Sequence, residues 1–278
     1  MREKPELEEL LEFAVGLARG AGEITLRHFR QTYAAERKAD GSPVTEADRA
    51  AERFIRSRIE ETFPRDAVLG EEEETRAGTS GRQWIIDPID GTYSFVHGVP
   101  LYGVLIGLEI EGEPLLGVVN LPALGELIHA ARGLGCFWNN ERARVSAVSS
   151  LDEALLLSTD FGACERYGFG APARRLEARA GARRTWGDCY GHILVATGRA
   201  EVMLDPVMNV WDCAPLLPIL EEAGGTFTDW HGRKTIRGGN AISTNGLLLE
   251  TVFAVINQEE PVARASGAQA HTPARRDD

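Results

Sequence analysis

Trp84-Ile85-Ile86-Asp87-Pro88-Ile89-Asp90-Gly91-Thr92 is the stretch on which the reading of this chain turns. A short apolar run bounded by turn residues reads as a buried strand. This one leads straight into two carboxylates three residues apart, set around a proline and followed by a glycine and a hydroxyl. Pro88 biases Asp87 toward an extended backbone, and Gly91 permits a tight turn or a ligand's close approach to the main chain. A helix starting near Gly91-Thr92 would leave its first N–H groups without intrahelical partners, which makes an anion site. The same residues also read as an Asp-Pro turn with an aspartate cap, and the segment alone does not separate the two.

Upstream, the apolar run Ala67-Val68-Leu69 ends in Gly70-Glu71-Glu72-Glu73-Glu74. Glu71 and Glu72 therefore stand at a strand end as Asp87 does, while Glu73 and Glu74 read as solvated loop. Farther upstream, residues 6–30 carry Leu7, Leu10, Leu11, Ala14, Ala18 and Ala21, the stripe of an amphipathic helix. After the polar break Lys38-Ala39-Asp40-Gly41-Ser42-Pro43, a second helix starts at Thr45, where Thr45-Glu46-Ala47-Asp48 has the form of a capping box. Ala47, Ala51, Phe54, Ile55 and Ile59 are its buried stripe, and Pro64 ends it.

Downstream, residues 102–110 and 115–119 flank the turn Glu111-Gly112-Glu113-Pro114 as a hairpin, which 127–131 and 136–138 extend into an antiparallel sheet. Past a joint near 145–152 the pattern alternates: strand 155–158, helix 188–197, strand 201–204, helix 211–223. Strands near 226–228 and 241–243 and a closing helix or strand at 247–255 follow. Pro218 should kink the 211–223 helix or end it early. Helices first, an antiparallel sheet next and an α/β alternation last predict a layered α+β, mixed α/β fold. The expected organisation is an N-terminal half (1–148), a C-terminal half (149–258) and a disordered tail (259–278), which from Pro261 onward has almost no large apolar residue.

The 278 residues suit one large or two fused domains, and 43% hydrophobic with 26% charged residues is a globular composition. Thirty basic against 42 acidic residues, a net charge of −12, argues against a nucleic-acid partner. No apolar run is long enough to span a membrane. The acidic, amphipathic start is unlike a signal peptide, so the cytoplasm is the expected location. The four cysteines include no C-x-x-C pair and read as reduced thiols, and the six histidines form no zinc pattern.

Asp212, within Asn209-Val210-Trp211-Asp212-Cys213-Ala214-Pro215, reads by itself as a helix N-cap. Several carboxylates brought to one point would repel one another and take up protons unless cations neutralised them. Oxygen ligands without His or Cys select Mg²⁺ or Mn²⁺.

Asp87-Pro88-Ile89-Asp90-Gly91-Thr92, with Gly70-Glu71-Glu72 before it and Trp211-Asp212 after it, resembles the inositol monophosphatase family of Mg²⁺-dependent phosphomonoesterases. The stretch from Lys38 to Asp48 looks like the family's N-terminal loop, and Gly224-Gly225 like the turn closing its second motif. The resemblance spans nearly the whole globular chain. It implies a layered αβαβα sandwich of the inositol monophosphatase/fructose-bisphosphatase type, acting as a homodimer. It also implies that Glu71, Asp87 and the Ile89 carbonyl bind a first metal ion, and that Asp87, Asp90 and Asp212 bind a second. Glu71 would reach a third, weaker ion through water, so the cofactor is two or three Mg²⁺, with Mn²⁺ as a substitute. Thr92 and Asp48 would orient and help deprotonate the attacking water, and the N–H groups of Gly91 and Thr92 would hold phosphate oxygens.

Trp186-Gly187-Asp188-Cys189-Tyr190 and Leu204-Asp205-Pro206 fall where the family faces the alcohol portion of a small phosphate monoester. Asp188 replaces a small residue of inositol phosphatases, and Asp205 stands in place of a Glu. An extra carboxylate favours a cationic leaving group. Together with Asp90–Phe95 and Leu121–Glu126 these segments are similar to the histidinol-phosphatase branch of the family. Asp188 would meet the α-ammonium of histidinol phosphate, and it also reads as the N-cap of the following helix. The alternatives are inositol 1-phosphate as substrate, or a non-catalytic interaction protein on the same scaffold.

Overall fold

The computed structural model describes residues 4–31, 36–37 and 43–258. The polar break at 38–42 and the expected disordered tail at 259–278 lie outside the described residues.

The chain opens with α1 (Lys4–His28). A small antiparallel ladder follows, β1 (Glu36–Arg37) with β2 (Pro43–Val44), and then α2 (Glu46–Thr62). The capping box at the head of α2 is present: Ala47 N–H donates to Thr45 Oγ1 at 3.1 Å, and Thr45 N–H donates to Asp48 Oδ2 at 2.8 Å. Both helices bury an apolar stripe against one face of a seven-stranded sheet.

That sheet runs in chain order: β3 (Ala67–Gly70), β4 (Arg82–Asp90), β5 (Gly103–Ile110), β6 (Glu113–Leu121), β7 (Glu126–Ala131), β8 (Gly135–Trp138) and β9 (Glu141–Arg142). β3 and β4 are parallel and the other pairs antiparallel. Five-residue α3 (Thr92–Val96) follows β4. The β5–β6 turn is shorter than the sequence suggests. Glu111 and Gly112 alone form it, with φ of 54° and 79°, and Glu113-Pro114 already belong to β6. A two-residue turn with positive φ at both positions matches the right-handed twist of its strands.

The second sheet has the order β11-β10-β12-β14-β13. In chain order its region holds β10 (Leu155–Ser158), α4 (Phe161–Arg166), α5 (Gly170–Arg179), β11 (Ala182–Arg184), α6 (Asp188–Ala196) and β12 (Val202–Asp205). Next come α7 (Val210–Glu222), β13 (Thr226–Thr228), β14 (Ala241–Thr244) and α8 (Leu249–Ile256). The closing segment, open between helix and strand in the sequence, is a helix.

Three buried clusters join the layers. Val68, Trp84, Ile86 and Val104 pack on α1 and α2. Ile85, Leu105 and Val119, on the opposite face of the same sheet, pack on α6 and α7, which also cover Leu157, Met203 and Phe227 of the second sheet. Leu156, Val202 and Ile242 face outward onto α4, α5 and α8. The period-two alternation along each strand thus feeds two cores at once, and the result is the expected αβαβα order.

Pro218 does not end α7 early: the helix carries Pro215 as well and runs on to Glu222. The cause lies in the sheet beneath. Gly107 and Gly117 pair across β5 and β6. A Cβ at Gly117 would stand 2.0 Å from the Pro215 carbonyl oxygen, and one at Gly107 would stand 2.9 Å from the Ala214 Cβ. The two glycines form a saddle on which the helix backbone rests. Packing on both faces holds the helical path although each proline withholds a hydrogen bond.

Candidate metal centre and substrate cavity

The ladder between β4 and β5 is irregular between Asp87 and Asp90, where Pro88 interrupts the run of donors. Such irregularities re-aim side chains, and here both carboxylates turn to the same side. Asp87 Oδ1 accepts the Ile89 N–H at 3.0 Å. The Ile89 carbonyl accepts the Thr92 hydroxyl at 3.0 Å, tying α3 back to the strand end. Gly91 caps α3 with φ of 81°. A Cβ there would lie 2.9 Å from the Leu101 carbonyl oxygen and 3.1 Å from Asp188 Oδ2, so the close approach leaves room only for glycine.

Asp212 joins from the first turn of α7. It is not the N-cap but the third helical residue; Asn209 caps, and its N–H donates to Asp212 Oδ2 at 2.7 Å. Asp87, Asp90 and Asp212 each offer an oxygen, and these oxygens lie within 4.8 Å of one another. Glu71 stands outside that trio, at the end of β3, but its charge reaches Asp87, Asp48 and Asp212.

The electrostatics are those of a site built for a cation. Burial, then the charge of Asp212, pushes Asp90 up to about 7 although two hydrogen bonds from Cys189 oppose the shift. Burial likewise raises Asp212 to about 7, and Asp87 is raised by burial followed by the charges of Glu71, Asp90 and Asp212. Carboxylates so placed resist ionisation unless positive charge joins them. The donor set is oxygen alone, which suits a hard divalent ion and passes over softer ones.

Asp48 is fully buried at the start of α2. Its Oδ2 accepts the Thr45 N–H at 2.8 Å and the Thr45 hydroxyl at 2.5 Å, while Oδ1 has no partner. Burial pushes its acid up to about 6.

A cavity of about 340 Å³ opens beside the trio, with Asp90, Asp188, Asp205 and Asp212 among its walls and Tyr93 and Arg166 at its rim. Asp188 is not the N-cap of α6. Gly187 is, and Asp188 takes the first helical position with a left-handed φ of 53°. Its side chain is thereby released toward the cavity, and burial followed by the charges of Asp90 and Asp205 raises its pKa. Asp205 ends β12 at the cavity wall and accepts the Thr159 hydroxyl at 2.9 Å.

Sequence reasoning missed two residues that shape the acidic loop. Glu52, fully buried, accepts the N–H groups of Glu72 and Glu73 at 2.8 and 3.2 Å, and Arg56 holds the carbonyls of Glu73 and Glu74 at 2.9 and 3.1 Å. Arg56 Nε also donates to Glu52 Oε1 at 2.6 Å. The signal was present: Asp48, Glu52 and Arg56 repeat every four residues beside the buried alanines of α2.

The sequence profile of the inositol monophosphatase family matches residues 6–265. A histidinol-phosphatase of Chlorobaculum parvum is 47% identical over 252 residues, covering 90% of this chain and 97% of that protein. A histidinol-phosphatase of Mycobacterium tuberculosis is 39% identical, covering 89% and 97%. Among solved structures, an inositol monophosphatase from Zymomonas mobilis superposes with a TM-score of 0.81 at 31% identity, covering 92% of this chain and all of that one. On sequence and on layered fold together, the chain belongs to the inositol monophosphatase family.

Proposed function

We propose that this phosphoric monoester hydrolase acts on histidinol phosphate, with Mg²⁺ held by the aspartate trio. The observation that carries the substrate assignment is Asp188, whose carboxylate stands over Gly91 and enters the cavity beside Asp90 and Asp205. A carboxylate there gains a charge pairing from a cationic leaving group, whereas a neutral polyol offers it hydroxyl hydrogen bonds alone. The 47% identity to a histidinol-phosphatase supports the same choice.

In this reading Glu71, Asp87 and the Ile89 carbonyl would hold one ion, Asp87, Asp90 and Asp212 would hold a second, and Glu71 would also serve a third. Bound divalent ions supply the lowered pKa of the attacking water and offset charge on the phosphoryl oxygens. The chain's residues do the rest. Asp48 presents its unpartnered Oδ1 as a proton acceptor. The Thr92 hydroxyl, anchored by its bond to the Ile89 carbonyl, keeps its lone pairs for the attacking water. The N–H groups of Gly91 and Thr92 steady phosphate oxygens as charge spreads over them. Asp188 pairs with the α-ammonium, and Asp205 faces the remaining leaving-group atoms. The reading also includes a homodimer, supported by the family resemblance, and a reducing cytoplasm, supported by four free cysteines.

Phosphate release from histidinol phosphate and from inositol 1-phosphate, with and without chelator, tests the assignment. The expected outcome is a kcat/KM for histidinol phosphate at least ~10-fold higher, abolished by chelation and restored by Mg²⁺. Equal or better turnover of inositol 1-phosphate removes the histidinol reading. Activity that survives chelation removes the metal from it.

A further inference from the structure

Behind the cavity wall a buried histidine has no part in the chemistry above. His192, on α6, is fully buried. Its Nδ1 lies 2.7 Å from the Ser243 hydroxyl of β14. Its Nε2 lies 3.6 Å from Asp205 Oδ2 and has no hydrogen-bond partner. That same oxygen of Asp205 accepts the Thr159 hydroxyl at 2.9 Å, and the Thr159 oxygen in turn accepts the backbone N–H of Asp188 at 2.8 Å. One hydroxyl therefore joins the carboxylate of Asp205 to the backbone of Asp188, the two residues that face the leaving group.

The backbone it fixes is a strained one. Asp188 holds a left-handed φ of 53° without being a glycine, a conformation that costs energy and persists only where its surroundings over-determine it. The bond to Thr159 is one restraint. The other is the next N–H along, that of Cys189, which donates to Asp90 Oδ2 at 2.5 Å. Without them the first turn of α6 could relax and withdraw the Asp188 side chain. On the far side of Asp205, a Ser243 hydroxyl that donates to Nδ1 leaves the proton of His192 on Nε2, facing the carboxylate.

We propose that Thr159 and His192 are positioning residues that hold Asp188 and Asp205 as a two-carboxylate clamp, selecting a leaving group that carries two basic centres. This rests on the substrate reading above and adds what makes it selective: one hydroxyl holds the Asp205 carboxylate and the Asp188 backbone together, and a buried imidazole backs Asp205. The hydrogen bonds of the two residues go to Asp205, Asp188 and Ser243 rather than to the aspartate trio, so they govern which alcohol is held and leave the chemical step to others.

The experiment compares the purified full-length enzyme with Thr159→Val, Thr159→Ser and His192→Gln in saturating Mg²⁺. The substrates are histidinol phosphate and p-nitrophenyl phosphate, whose leaving group has no cationic centre. Thr159→Val keeps the side-chain shape and deletes the hydroxyl, so KM for histidinol phosphate should rise about tenfold, the scale of a lost charge-assisted hydrogen bond. KM for p-nitrophenyl phosphate should stay within about twofold, and kcat for both within about threefold, at that same scale. Thr159→Ser should restore the parent KM, and His192→Gln, which can still present an N–H, should fall between Thr159→Val and the parent. Equal loss toward both substrates in Thr159→Val means a general structural role and overturns the proposal. Unchanged KM for histidinol phosphate in that variant overturns it too, with the substrate reading left standing. A parent enzyme whose KM is lower for p-nitrophenyl phosphate than for histidinol phosphate overturns the substrate reading and the clamp together.

Discussion

Asp90 serves two partners with one carboxylate: it accepts the Cys189 N–H at the head of α6 and offers an oxygen to the trio with Asp87 and Asp212. Asn in its place keeps an acceptor for Cys189 and removes the charge. In Asp90→Asn, turnover should therefore fall at least ~100-fold, the scale of one lost preorganised stabilising group. The metal-free variant should meanwhile melt no lower than the parent, because one repelling carboxylate is gone. Phosphate release and a thermal melt in chelator check both halves; near-normal turnover would mean that Asp90 holds nothing the reaction needs. Residues of this kind were legible in the sequence because their motif is local: Asp87, Asp90, Gly91 and Thr92 sit within six positions. Asp188 was legible as a carboxylate but not as a strained first helical residue, since its backbone is set by Thr159, 29 positions away.

At the scale of elements, local signals predicted local structure and failed where a distant surface decides. The capping box of α2 and the apolar runs of β4 through β8 could be read directly. α4, α5 and β11 could not: the helices are short, with Gly168 between them and Pro172 in the first turn of α5, and β11 exposes all three of its residues. Pro218 gives a strong local signal for an early end that α7 does not follow; the helix continues over the paired glycines, which meet it one turn earlier at Ala214 and Pro215. That reading makes Gly117→Ala a sharp test. The added methyl would sit 2.0 Å from a backbone oxygen, which has no flexible end to yield, so the helix itself must lift. A loss of about 2–3 kcal/mol is expected, at the upper range of overpacking, together with weaker Mg²⁺ binding because α7 carries Asp212. Urea denaturation with and without Mg²⁺ measures both. A midpoint equal to the parent's would show that the helix does not depend on that saddle.

Across the whole molecule, the αβαβα order brings carboxylates from β3, β4, the head of α2 and the head of α7 to one end of the layers, and folding thereby stores like-charge repulsion. The consequence for stability has a definite sign. In metal-free protein Asp90 and Asp212 are raised to about 7 and Asp48 to about 6, from 3.8. A carboxyl group raised on folding contributes stability that is fully present below its unfolded value and is lost as pH climbs through the folded one. These groups should therefore make the chelated protein lose stability between about pH 4 and pH 7. Asp152, Asp160 and Asp229 are lowered on folding, so their opposite contribution falls away only below the usual carboxylate range. His129 acts within the window and in the opposite sense, because burial followed by Arg19 lowers it and its stability is lost as pH falls through the imidazole range. It lies on β7, stacked on Phe137, and contributes equally with and without metal. The clean quantity is therefore the difference between melts in Mg²⁺ and in chelator. Protons compete with the ion for the same oxygens, and an ion that binds only the folded state stabilises it by mass action. The Mg²⁺-induced rise in Tm should accordingly be larger at pH 8 than at pH 6, and Asp90→Asn should flatten that slope. A rise independent of pH would mean that the ion binds away from the buried aspartates, and a larger rise at pH 6 would reverse the sign on which the centre's electrostatics depend.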